Sequence, residues 1–238
     1  MKENDYKESD YLNFPIQMVE GLIPDRHRNS PKRIYDEIAY YAIYRQSRKS
    51  KEWTEIKRIK DAINFFDFSI RDESLAYSDG KRLYERYPLN SPRTGISKQL
   101  FFEFSKNDKT DFEIATLTAF LALKSIVGDK PYMRISNLFM LSRMDGKVKS
   151  VKDKKELSSA VRKYATEYYA KRLRNELFDN WGLVYVQSRG VCISFTLTLN
   201  ELQTAALKET VKSKDRFRSK QMREAKEEAV KQVNAKQK

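Results

Sequence analysis

The chain has one cysteine, Cys192, and one histidine, His27, and these two scarcities remove whole classes of chemistry. A lone cysteine forbids an intramolecular disulfide and points to a reducing, cytoplasmic compartment. Val191, Ile193 and Phe195 alternate with it, so Cys192 reads as a small residue on the other face of a strand. One cysteine and one histidine cannot supply the usual zinc ligand set, and no metal or cofactor is expected. A nucleophilic triad would need His27, which lies in Arg26-His27-Arg28, where neighbouring cations disfavour its protonated form. A tyrosine-recombinase site or a paired-histidine nicking site fails for the same shortage. Neither GxxxxGK[ST] nor GxGxxG occurs, which leaves phosphate-loop and dinucleotide chemistry without a signature. Glu55-Ile56-Lys57 resembles the Glu-x-Lys element of metal-dependent nucleases, but Ile56, Ile59 and Ile63 put it in a helical pattern where that chemistry needs a strand. The expectation is a protein without catalysis. No apolar run approaches the roughly 18 residues of a membrane span. The start, MKENDYKESDY, is acidic and polar rather than a signal peptide.

What is abundant is positive charge. The 238 residues hold 47 Lys and Arg against 33 Asp and Glu, a net charge of +14. Such a surplus attracts polyanions before any specific contact forms, so nucleic acid is the expected partner. Ribosome binding, a membrane surface or plain basic solubility are the blander causes. From Lys208 onward eleven basic residues face five acidic ones. That tail, 204–238, has few apolar residues and no continuous stripe, and reads as an exposed helix or a disordered arm.

Four segments follow from the patterning. Residues 1–13 read as loose. Residues 14–105 read as a helical region, after an apolar stretch from Phe14 to Ile23 that docks on the domain. Ser30-Pro31 supplies a cap and a first-turn proline for a helix over 31–49. A second helix covers about 52–66 and another lies near 80–87, followed by a loop marked by Pro88, Pro92 and Gly95. Residues 96–104 fit helix or strand. The aromatic groups Tyr40, Tyr41, Tyr44; Phe65, Phe66, Phe68; and Phe101, Phe102, Phe104 could stack single-stranded bases, but their spacing suits a core better. Thr110 and Glu113 form a capping box that opens the most apolar helix, 111–127, a central post buried on nearly all sides. Pro131 to Ile135 fits a short strand, and Ser136 caps a helix to Met144 closed by Gly146.

The segment 106–203 carries the functional signal. Leu157, Ala160, Val161 and Tyr164 belong to one helix; Thr166 caps the next, in which Ala170, Leu173 and Leu177 share a face. The opposite face holds Glu167, Tyr168, Lys171, Arg172 and Asn175, with Arg174 at the flank. Arg and Lys suit guanine N7 and O6, Asn suits adenine, and cations suit phosphates. After Trp181-Gly182 the alternation of Leu183 to Gln187 and Val191 to Leu197 marks a hairpin whose tip presents Arg189.

This succession resembles the winged helix-turn-helix superfamily of bacterial DNA-binding proteins over about residues 110–200. The resemblance implies a mainly α fold with a small β-hairpin wing, a helical N-terminal region and a C-terminal winged helix. It implies duplex DNA contact by Tyr168, Lys171, Arg172, Arg174, Asn175 and Arg189, helped by the loop lysines Lys152, Lys154 and Lys155. A short wing turn, Glu167 at the start of the reading helix and the long basic loop depart from the pattern. The role implied is transcriptional regulation or replication of a mobile element. By analogy with such readers, a homodimer through the N-terminal helices is expected. Winged helices also serve as protein-protein modules, so an assembly role with a nucleic-acid-binding tail stays open.

Overall fold

Thr110 starts the helix that the rest of the molecule packs around. In the computed structural model, which describes residues 10–24, 31–87, 90–187 and 190–236, that helix is α5, Asp111–Val127. The Thr110 hydroxyl accepts from the Glu113 backbone N–H, and the Glu113 carboxylate accepts from the Thr110 N–H at 2.9 Å. Two donors with no intrahelical partner are thereby satisfied. Ile114, Leu117 and Leu121 face an N-terminal core, while Ala115, Ala119, Ala122 and Leu123 face a C-terminal one. The expected central post is therefore a wall shared by two cores.

The N-terminal core is closed by β1 (Tyr11–Pro15) paired antiparallel with β2 (Arg93–Ser97), Leu12 opposite Ile96. Around it stand α1 (Pro31–Ser47), α2 (Glu55–Phe66), α3 (Glu73–Arg86) and α4 (Lys98–Lys106). Residues 11–13 are thus strand rather than loose, because Leu12 is buried and its neighbours pair with β2. A region expected to be helical contains a small sheet. The ambiguous stretch 96–104 divides at Ser97, whose hydroxyl accepts from the Leu100 N–H and turns strand into helix. Likewise α3 begins well before residue 80, capped by Asp72 on the Leu75 N–H at 2.9 Å. Gly80 lies inside α3 where a Cβ would sit 2.5 Å from the Tyr40 carbonyl oxygen, so only glycine lets α1 and α3 approach this closely. Tyr41, Tyr44, Phe66, Phe68, Phe101 and Phe104 are buried, so these aromatics build core.

The C-terminal half runs β3 (Met133–Ile135), α6 (Asn137–Met144), α7 (Ser159–Arg162), α8 (Glu167–Asn180), β4 (Val184–Gln187) and β5 (Val191–Ser194). Its strands form an antiparallel sheet in the order β3-β5-β4. The helix expected from Leu157 shrinks to the single turn of α7, although Leu157, Ala160, Val161 and Tyr164 are all buried. Last comes α9, Leu199–Lys236, which starts earlier than residue 204 and lays Leu202 and Ala206 on Cys192. That contact buries the second face of β5. The whole is mostly helical with two small antiparallel sheets. Ser30, His27, Pro88, Ser188 and Arg189 lie outside the described residues.

Candidate nucleic-acid interface

The Thr166 hydroxyl accepts from the Tyr169 N–H and fixes where α8 begins. From there Ala170, Leu173 and Leu177 turn into the C-terminal core, each almost fully buried. Tyr168, Lys171, Arg172 and Asn175 are exposed and share the opposite face, at offsets of three, four and seven from Tyr168. Tyr168 is 68% exposed and meets Tyr169 edge-on at 5.2 Å between ring centres. The Arg172 guanidinium stands 4.1 Å from the centre of the Phe112 ring, which steadies the side chain from α5 without covering it. No acidic partner engages Lys171 among the described residues.

Arg174 does not belong to this face. It is 2% exposed, its guanidinium donates to the Asn137 side-chain oxygen at the start of α6, and it lies 5.8 Å from the Tyr185 ring centre. Burial pulls its pKa below the ordinary guanidinium value, and among the described residues no carboxylate forms an ion pair with it. A phosphate cannot reach it. The expectation of a DNA contact at Arg174 is corrected to a buried strut between α8, α6 and β4.

Asn175 is exposed but not unattached. The Tyr185 hydroxyl on β4 donates to its side-chain oxygen at 2.6 Å, and Phe178 meets the Tyr185 ring edge-on at 6.0 Å. Asn137, Tyr185 and Phe178 were not among the residues expected at the site. Phe178 is 44% exposed and packs on the Tyr185 ring, joining α8 to β4.

The basic loop is anchored rather than loose. Asp145 is buried and accepts from the Ser158 N–H at 3.0 Å, from the Ser158 hydroxyl and from the Lys147 ammonium. Asp153 and Glu156 form a second capping box, so the backbone of Lys152, Lys154 and Lys155 is pinned while their side chains stay in solvent. Those three ammonium groups form no ion pair with the described residues.

On the sheet's far side Arg134 pairs with Glu209 at 3.4 Å and donates to the Thr210 hydroxyl at 3.3 Å. Past Thr210 the described side chains of α9 through Ala225 are exposed, cations and Val211, Phe217 and Met222 alike. Among the described residues no group of three or more His, Cys, Asp or Glu side chains is placed to hold a metal. None of the described helices is long and apolar enough to cross a membrane. No family model, curated protein or solved structure matches the chain.

Proposed function

We propose that the chain is a non-catalytic double-stranded DNA-binding protein that uses residues 106–203 as a winged helix-turn-helix. Its role would be transcriptional regulation or the replication of a mobile element. The observation that carries this proposal is the open face of α8, where Tyr168, Lys171, Arg172 and Asn175 stand together on a helix whose back is fixed in the core. A helix so held can enter a major groove with its polar side first. The β4–β5 hairpin beside it, the solvated lysines of the preceding loop and the net charge of +14 all favour a polyanion.

Fluorescence anisotropy on random duplex DNA over a range of salt tests it. If Lys152, Lys154, Lys155, Lys171 and Arg172 neutralise about five phosphates, log K falls with log salt at a slope of roughly −4 to −5. Lys171→Ala and Arg172→Ala each reduce that slope by about one. Arg174→Met leaves it unchanged, since that guanidinium is buried. Affinity that ignores Lys171 and Arg172 and disappears only when 212–238 is deleted would make the protein a non-specific basic arm.

One observation favours a second role as an assembly module. Trp53 is 94% exposed, with Ile56 and Leu75 also open at the starts of α2 and α3. Exposed apolar groups of this size mark contact surfaces. Sedimentation velocity of the wild type and Trp53→Ala, with and without duplex, separates self-association from DNA binding.

A further inference from the structure

We propose that Asn175 reads guanine rather than adenine, and that Tyr185 is the positioning residue that sets this preference. This rests on the reading of α8 as a groove-reading helix. An unrestrained asparagine favours adenine because its oxygen accepts from N6 while its amide donates to N7. Here the oxygen is already turned toward β4 by the 2.6 Å bond from the Tyr185 hydroxyl. The Asn175 amide nitrogen has no partner among the described residues, so its two N–H donors are open while the Tyr185 hydroxyl engages the acceptor on the β4 side. Guanine shows two acceptors side by side in the major groove, N7 and O6. Adenine sets a donor, N6, beside its N7, and that donor would meet another donor.

The contacts around the Tyr185 ring keep this arrangement from relaxing. Phe178 packs edge-on against the Tyr185 ring from α8. Beneath it the Arg174 guanidinium lies against the same ring and is tied to Asn137 at the start of α6. Arg174 is buried, so the link from α6 through α8 to β4 is held away from water. The Tyr185 hydroxyl is therefore delivered to Asn175 before any DNA arrives. Such preorganisation converts a side chain that can rotate into one with a fixed donor pattern.

Selection of bound fragments from a fully random duplex pool tests the proposal with the full-length wild type, Asn175→Ala and Tyr185→Phe. The wild type should enrich guanine at one position. Asn175→Ala should lose the preference at that position alone and bind the best site about 5- to 150-fold more weakly. Tyr185→Phe keeps the ring packing and frees the oxygen, so the same position should move toward adenine; a melting temperature equal to wild type excludes a folding defect. Adenine at the Asn175-dependent position of the wild type overturns the proposal, as does a guanine preference that survives in Tyr185→Phe. A pool insensitive to Asn175→Ala, with duplex binding retained, defeats this inference alone. Failure of the wild type to retain any duplex defeats the DNA-binding function and this inference with it.

Discussion

Lys171 and Arg174 are one helical turn apart on α8 and occupy different solvents. Arg174 follows Ala170 by four positions and precedes Leu177 by three, which places it inside the buried stripe at i, i+3, i+4 and i+7. That spacing was readable in the sequence and outweighs the general preference of arginine for the surface. What could not be read is the partner, since Asn137 lies far away in the chain. Gly80 is the opposite case. Alanine is the better helix former by about 1 kcal/mol, so local rules favour Gly80→Ala. The Tyr40 carbonyl at 2.5 Å from the added carbon is rigid backbone, so the helices must separate. We expect Gly80→Ala to lose about 1–3 kcal/mol of stability in urea denaturation. A neutral or stabilising result would mean that α1 and α3 can slide apart freely.

At the scale of elements, starts and stops were largely legible because caps are local. Thr110, Ser136 and Thr166 each bond a backbone N–H within three residues, so the sequence contains the whole interaction. The β1–β2 pair was not legible, since its strands are distant in sequence and a strand's preference depends on what it packs against. The covering of β5 on both faces was missed for the same reason: its second layer comes from the first turns of α9, within a segment whose composition reads as tail. The α5 cap also gives a pH dependence. Bonds from the Thr110 hydroxyl and backbone hold the Glu113 carboxyl below its ordinary 4.5. A depressed carboxyl stabilises the fold above that ordinary value, and the benefit is lost as pH falls through the lower folded-state value. Glu113→Gln should therefore melt below wild type at pH 7, and the gap should narrow on acidification toward pH 3, followed by circular dichroism. A gap of constant size would assign the effect to something other than the carboxylate's charge.

Across the whole molecule, composition carries the excess of positive charge from which a polyanionic partner is proposed, while the joining of the two halves had to be seen. Helix α5 lends Ile114, Leu117 and Leu121 to the N-terminal core, and its Leu121 carbonyl accepts from the Thr94 hydroxyl at 2.7 Å. Residues 106–238 expressed alone would present that apolar face to water. We expect such a fragment to melt below the full chain and to bind a hydrophobic dye. A fragment as stable as the parent and silent toward the dye would make the halves independent. The proposed DNA-facing surface was legible only in part: Tyr168, Lys171, Arg172 and Asn175 follow from helical periodicity, whereas the bond from Tyr185 depends on how the hairpin docks.

Among the described side chains, helix α9 is anchored at its beginning, by Leu202, Ala206, Glu209 and Thr210. From Thr210 to Lys236 it extends about 40 Å at 1.5 Å per residue. Laid beside B-form duplex, that rod matches roughly a dozen base pairs. If α8 enters a groove as proposed and α9 lies along the same duplex, the rod would shelter one flank of the site and leave the other bare, giving a lopsided cleavage footprint. Occupancy would then have a polarity, and two molecules at adjoining sites would crowd one another in one relative orientation and not in the reverse.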